Sequence, residues 1–568
     1  MAFLIVSIYN GNENMIEVLM KNYLNVLKSG NQEPVVGLKD LSRLAATEGI
    51  VLLKNDQHVL PLIDQTISIF GRIQTDYYKS GTGSGGLVNV DRVTSILDAL
   101  LENPFVKVND DLVDMYREWT LENPFNAGSG FWASEPWSQK EMPLTEEIVK
   151  DARKKSDVAI IIIGRTAGED RDNSDTEGSY RISQDEEHLM SLVTSVFDKV
   201  VVLLNTGNVM DMSFMDLYPI SSVLYVWHGG QEGGRAAADV LTGLVSPSGK
   251  LPDTIAYDVK DYPSHQSFGG HDESFYVEDI YVGYRYFQTF NPKAVRYPFG
   301  YGLSYTTFSH QLIKAELEKE ITLTVMVKNT GSHAAKEVVQ IYVKQPQGLL
   351  GKPDKVLVAF AKTGVLKPGE AEVLSFHIDP YDFASYDETG VTGYPSSYVL
   401  EQGTYHILLS TDVNTSFSTV DYVVKKTTCL VKHEEMMRPV KPFKRIKPVM
   451  NQDKVEIGYE DVPLRTIDLK KRIQDNLPSE WTKPDHKITL EDVYKGKETA
   501  QDFVAQMSLT ELSEIVRGEG MSSPKATPGT ASAFGGTTDG LEAYGLPILC
   551  CADGPSGIRM DSGLRATS

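Results

Sequence analysis

Val158–Asp172 reads VAIIIIGRTAGEDRD. Its first part, Val158–Ile163, is apolar, mostly β-branched, and stops at Gly164. A short unbroken run of this kind predicts a strand buried on both faces, as in a parallel sheet. A polar loop follows at once, carrying Arg165, Glu169, Asp170, Arg171 and Asp172. In open α/β sheets, ligands sit at loops beyond the carboxyl ends of strands. Glu169 therefore stands where a catalytic carboxylate would stand.

The flanking sequence repeats the pattern. A helix is predicted over Leu38–Glu48, with strands at Ile50–Leu53, Thr66–Phe70, Val200–Leu204 and Val223–Trp227, and helices at Gln184–Phe197 and Ala236–Leu244. Strands alternating with helices indicate βαβ units and a parallel sheet, so residues 36–262 read as one α/β domain. Within it, Gly81, Gly83 and Gly86 of SGTGSGG match G-x-G-x-x-G. Their distance from the preceding strand is too long, and they lead into LVNV rather than a helix. A tight loop beside a ligand pocket is the favoured reading over a nucleotide site. The segment Pro124–Pro143 holds Phe125, Phe131, Trp132 and Trp137. Those rings either stack on sugar faces or pin their own loop, and the sequence favours neither.

Before this domain, residues 1–35 form a helical extension, with Ile16, Leu19, Met20, Tyr23 and Leu27 on one face of 15–29. After it, residues 263–300 read as a linker. Alternating strands at Thr322–Val327, Val338–Val343, Glu372–His377 and Thr404–Leu409 then predict an all-β sandwich over 301–428. Residues 429–480 read as a second linker, because 431–450 is basic and broken by prolines. Helical periodicity returns from Leu490. Ser508 and Glu511 are spaced as a capping box, and Leu546–Cys550 reads as a strand of another α/β unit over 481–568. About 90 residues cannot make a barrel of ~250.

Composition narrows the function classes. The 568 residues hold 55 Lys and Arg against 77 Asp and Glu, a net charge of 55 − 77 = −22. Such a surface repels nucleic-acid backbones and anionic lipid, so neither nucleic acid nor membrane is an expected partner. Cys429, Cys550 and Cys551 fit neither a zinc spacing nor a disulfide framework, which points to a reducing, cytoplasmic setting. The N-terminal apolar run lacks the flanks of a signal peptide. No His, Asp or Glu cluster has metal spacing, and neither a metal nor another cofactor is expected.

Five strings in series resemble glycoside hydrolase family 3, the β-glucosidase family: EGIVLLKNDQHVLPL (48–62), GQEGGRAAADVLTGLVSPSGKLPDT (230–254), VGYRYF (282–287), YPFGYGLSYTTF (297–308) and CADGPSGIRM (551–560). The resemblance implies a multidomain chain: an α/β sandwich domain first, then a fibronectin type III-like β-sandwich, then the incomplete start of a (β/α)8 barrel. The family's common order puts the barrel first. This order resembles a permuted subgroup from rumen and gut bacteria, and the chain reads as truncated within the barrel.

The implied chemistry is retaining hydrolysis of terminal nonreducing β-D-glucose, on an oligosaccharide or aryl glycoside, with two carboxyl groups about 5–5.5 Å apart. AGEDRD (167–172) resembles the family's acid/base loop and gives Glu169 that role, with Glu177 as runner-up. The alternative for Glu169 is a surface carboxylate paired with Arg165 or Arg171. Asp553 matches the family aspartate that binds outer sugar hydroxyls, against a capping role at the Gly-Pro turn. Arg559 is a weaker sugar-site candidate. Asp211 and His228 are expected to be structural. The family's nucleophilic aspartate lies in a Ser-Asp-Trp-like motif that this sequence does not contain. Its substrate-binding Lys-His pair has no counterpart in the barrel-like part, since Lys432–His433 precedes it. Related readings are a β-xylosidase of the same family and a non-catalytic sugar- or partner-binding product. Homo-oligomers are compatible with all three.

Overall fold

The structure, a computed structural model, describes residues 37–558 except 84, 85, 87, 89, 130–132, 436, 453, 478–480, 522, 528, 529, 555 and 556. The helix expected over 15–29 lies outside the described residues. The chain divides into a larger unit, Ser42–Gly86 with Val93–Trp481, and a smaller unit formed by the remainder.

The larger unit opens with helix α1 (Leu38–Gly49), whose first residues belong to the smaller unit, and continues into a six-stranded sheet of order β1-β6-β5-β4-β2-β3. The strands are β1 Val51–Asn55, β2 Gln65–Phe70, β3 Val106–Val108, β4 Val158–Gly164, β5 Lys199–Asn205 and β6 Ser222–Tyr225. Four neighbouring pairs are parallel, but β1 joins β6 antiparallel. The expected all-parallel sheet is therefore corrected to a mixed one. Parallel pairing needs a crossover, whereas β1 follows α1 directly and docks at the sheet edge, where antiparallel strands are common.

Helices cover both faces: α2 Ile96–Leu101, α3 Asp110–Glu122, α4 Glu146–Lys155, α5 Gln184–Val196, α6 Phe214–Leu217 and α7 Gly233–Leu241. Every residue of β4 is buried. Val158, Ile160 and Ile162 pack toward α2 and α7, and Ala159, Ile161 and Ile163 toward α3, α4 and α5. Burying each isoleucine contributes about 1.5–3 kcal/mol, which fixes β4 in the middle of the sheet and its carboxyl end in place.

Strands β7 Ile255–Ala256 and β8 Val295–Tyr297 pair with each other, with helix α8 (Tyr284–Phe290) between them in sequence. The β-sandwich follows: β9 Phe308–Leu317, β10 Ile321–Asn329, β11 Val338–Lys344, β12 Lys355–Lys362, β13 Ala371–Ile378, β14 Ser385–Asp387, β15 Ser397–Leu400, β16 Gly403–Ser410, β17 Ser416–Val424 and β18 Thr428–Lys432. Its sheets run β13-β10-β9, β12-β11-β16-β17 and β14-β15-β18. Ile321, Leu323, Val325 and Val327 of β10 are buried between half-buried neighbours, the two-residue alternation that defined this region in the sequence.

The stretch read as a solvated linker contains a hairpin, β19 Lys444–Asn451 with β20 Lys454–Asp461. This corrects the linker reading. Arg445 and Lys447 are neutralised by acids distant in sequence, and Ile446 is buried among aromatic residues. A count of basic residues along the chain could not register those partners.

In the smaller unit, helices α9 Leu490–Tyr494, α10 Ala500–Ala505, α11 Leu509–Arg517 and α12 Asp539–Glu542 accompany strands β21 Glu519–Gly520, β22 Ser532–Gly535 and β23 Ile548–Cys551. Ser508 and Glu511 form the expected capping box on α11. The three strands pair antiparallel, over a small core of Ile488, Phe503 and Met507.

Candidate active site

The loop after β4 is anchored at its root. Arg165 is 2% exposed and forms a bidentate pair with Glu186 at 2.5 and 2.6 Å. Its remaining donors reach the carbonyls of Gly164, Ser179 and Arg181. Glu186 also closes a capping box with Ser183 at the start of α5. One buried ion pair thus ties both ends of the 165–183 loop together. Breaking such a pair costs about 3–5 kcal/mol, because it strands a buried charge.

His228 supports the loop from below. Burial holds its imidazole below the ordinary value, and the ring nitrogen Nε2 lies 2.9 Å from the Arg165 carbonyl. Asp211 accepts the Ser213 N–H and hydroxyl and so caps a turn.

Glu169 is exposed at the tip of this loop. Gly168 (φ 136°) and Asp170 (φ 57°) flank it, so the backbone turns sharply on both sides. A non-glycine residue in the left-handed region is uncommon and clusters at functional sites. Gly81, Thr82 and Gly83 pack directly against this turn. The Thr82 N–H donates to the Ala167 carbonyl at 2.5 Å, and Thr82 bridges Gly168. A Cβ on Gly83 would lie 2.7 Å from the Glu169 Cβ, and one on Gly81 would lie 1.9 Å from the Ala167 carbonyl oxygen. The G-x-G-x-x-G match is accordingly a cradle for the Glu169 turn.

The alternative pairing of Glu169 with Arg165 fails, since Glu186 takes that guanidinium. Arg171 lies with its guanidinium over the Trp137 ring, 4.9 Å from the centroid. The described rings of the aromatic segment make contacts within the protein. Phe125 packs edge-on against Tyr78 and pins its own loop, whereas Trp137 holds Arg171 beside the site. Phe131 and Trp132 lie outside the described residues.

Sequence reasoning missed Glu135, also on this segment. Burial pushes its carboxyl above the usual range, with the Arg171 charge opposing, and one oxygen is buried without a hydrogen-bond partner. No sequence signal marked it. Sequence reasoning also missed Glu186, for which the spacing Ser183-x-x-Glu186, a capping-box pattern before an apolar run, was the available signal. Glu177 sits exposed on the same loop, 3.4 Å from the Gln184 amide nitrogen.

In the smaller unit, Asp553 is partly buried and accepts the Gly554 N–H at 2.8 Å. The same carboxylate retains acceptor capacity for ligand hydroxyls. Arg559 lies outside the described residues. Lys432 ends β18, and the His433 N–H donates to the Ser396 carbonyl, so this pair belongs to the sandwich rim. Among the described residues, no group of three His, Cys, Asp or Glu side chains could hold a metal ion, and no helix is long and apolar enough to cross a membrane.

The model of the Glycosyl hydrolase family 3 C-terminal domain matches residues 50–305, and that of a Fibronectin type III-like domain matches 337–413. A beta-glucosidase of Ruminococcus albus is 47% identical over 523 residues, 92% of this chain and 54% of the relative. Beta-glucosidase A of Butyrivibrio fibrisolvens is 35% identical over 587 residues, 92% of this chain and 68% of the relative. The crystal structure of a beta-glucosidase from Paenibacillus barengoltzii superposes with a TM-score of 0.92 at 50% identity, covering 94% of this chain and 60% of that one. The chain thus spans about half the length of its Ruminococcus relative.

Proposed function

The chain belongs to glycoside hydrolase family 3, and from that premise we propose that it carries the acid/base half of a retaining exo-β-glucosidase, with Glu169 as the acid/base. The observation that carries the reading is the position of Glu169. It stands exposed at the carboxyl end of the central strand, on a turn braced by the Arg165–Glu186 pair and by Gly81, Thr82 and Gly83. A proton donor must be held within a few tenths of an ångström of its working geometry, and this bracing supplies that.

In the proposed cycle the Glu169 carboxyl gives its proton to the glycosidic oxygen as the bond to the anomeric carbon breaks and an aspartate ester forms. The resulting Glu169 carboxylate then takes a proton from the water that cleaves the ester, restoring both groups. Residues 481–568 are proposed to be a barrel-type segment, in which Asp553 and Arg559 bind sugar hydroxyls. The nucleophilic aspartate is proposed to come from polypeptide corresponding to the part of the relatives that this chain does not match.

The test is hydrolysis of p-nitrophenyl β-D-glucoside and of cellobiose by this chain, alone and joined to a barrel segment bearing the Ser-Asp-Trp motif. Activity is expected only in the joined form. There, Glu169→Gln should abolish kcat/KM for cellobiose, whose leaving group needs protonation, and spare kcat/KM for the activated glucoside, whose kcat falls because cleavage of the ester loses its general base. Equal losses of kcat/KM on both substrates would refute the acid/base role. Asp553→Asn should raise KM more than it lowers kcat.

A further inference from the structure

Trp137 holds the Glu169 turn on both sides. Ahead of Glu169, the Trp137 carbonyl accepts the Thr166 N–H at 2.9 Å. Beyond Glu169, its ring lies under the Arg171 guanidinium, 4.9 Å from the centroid. The Arg171 N–H closes the turn itself on the Gly168 carbonyl at 3.2 Å. One residue of the aromatic segment thus grips both limbs of the turn that carries the carboxyl group.

The guanidinium bears on the chemistry. A cation within about 4–6 Å of a carboxyl favours the ionised form, which is the wrong form for a proton donor. Within the larger unit the segments that meet at this turn carry Arg165, Lys79 and Arg171, and each is engaged elsewhere. Arg165 is taken by Glu186. Lys79 donates to the Ser80 hydroxyl at 3.0 Å and to the Gly86 carbonyl at 3.1 Å. Arg171 lies on the Trp137 ring, the kind of aromatic face that attracts a guanidinium most strongly, and its charge acts on the Glu135 carboxyl two residues earlier in the same segment. The other titratable groups around the turn are the exposed Asp170 and Asp172 on its own loop and His228 beneath it. The two aspartates are like charges, which favour the neutral form of a neighbouring carboxyl. The turn therefore keeps its negative neighbours in place and draws its mobile cation aside.

We propose that Trp137 is a positioning residue for Glu169: its ring holds the Arg171 guanidinium off the acid, so that the carboxyl keeps the proton it must deliver. The indole does no chemistry of its own and acts through Arg171. The proposal rests on Glu169 being the acid/base.

The experiment follows the Glu169 side-chain carboxyl by carbon-13 NMR across the acid pH range, in the full 568-residue chain, with the signal assigned by its loss in Glu169→Gln. Trp137→Leu releases the guanidinium and should lower the pH at which this carboxyl ionises by about half a unit to one unit. The Thr166 bond runs to the main chain of Trp137 and survives the substitution. Trp137→Leu/Arg171→Gln should return the midpoint to the parent value, a rescue that a purely structural role for the ring would not give. Trp137→Phe keeps an aromatic face and should titrate as the parent does. Trp137→Met, bulkier and without that face, should shift as Trp137→Leu does, and it serves if thermal melts show the leucine variant unfolded. A midpoint unchanged in the non-aromatic variants, or a shift that survives Arg171→Gln, overturns the proposal. The catalytic reading fails separately: equal kcat/KM losses for Glu169→Gln in the joined enzyme would remove the acid/base role while leaving these midpoints as expected.

Discussion

Glu141 is fully buried, and one of its carboxylate oxygens accepts the Arg72 N–H at 3.0 Å. Burial, helped by the charge of Glu186, pushes its pKa up to about 8 from 4.5. Between those values the folded protein keeps a proton that the unfolded chain has lost. The stability linked to this proton is therefore complete below pH 4.5 and disappears as pH rises through 8, at about 1.4 kcal/mol per pH unit. Glu141→Gln keeps the shape and the acceptor without the titration. At pH 8.5 it should melt about 2 °C or more above the parent, and at pH 4.5 the two should coincide. An equal difference at both pH values would show that the proton is not responsible. At this scale the sequence was readable where a residue's partner lay nearby, as with Ser508 and Glu511. It was silent on Glu135 and Glu141, whose properties come from burial by residues far along the chain.

The glycine-rich loop makes a sharper demand as an element. Gly83 has φ +85° and no room for a Cβ beside Glu169. Gly83→Ala adds about 1–2 kcal/mol of backbone strain and displaces the Glu169 turn. Turnover in the joined enzyme should fall at least tenfold, through kcat on poor leaving groups. Gly49→Ala, where no atom lies within 4 Å of the added carbon, is the matched control and should retain activity. If Gly83→Ala turns over cellobiose at the parent rate, the cradle has no part in positioning Glu169. The strand β4 and its loop were legible because an unbroken β-branched run followed by a polar loop has few other solutions. The direction of β1 was not, because pairing direction depends on which strand waits at the edge. The hairpin was hidden for a related reason: Pro448 sits within β19, and proline in a strand ordinarily argues against one.

Across the larger unit, the α/β layer and the β-sandwich are joined through charge. Glu48 at the end of α1 pairs with Lys336 and, at 2.7 Å, with Lys362. Burial pushes the Glu48 carboxyl up, but the two ammonium groups together hold it below its usual value. Its contribution is then present above about pH 4.5 and lost as pH falls through the lower folded value. The carboxylate is a quarter exposed, so solvent screening limits the pair to about 1 kcal/mol. Glu48→Gln should lower the melting temperature by about 1–2 °C at pH 7 and leave it unchanged near pH 3, in calorimetric scans. A deficit that persists at pH 3 would point to packing instead. The order of α/β layer and sandwich was legible throughout, because the switch from helical to two-residue periodicity survives any loss of detail about partners.

The outer strand of the hairpin has a further consequence. Among the described residues β20 pairs only with β19, which leaves a row of main-chain donors and acceptors open to another polypeptide. Lys454, Glu456, Glu460 and Asp461 stud that strand, and Pro448 removes a donor from its neighbour. Such features keep open strands from recruiting copies of themselves. Stripping them, for instance with Pro448→Val together with Glu456→Val, should make the chain seed fibrils, visible as thioflavin fluorescence growing with concentration.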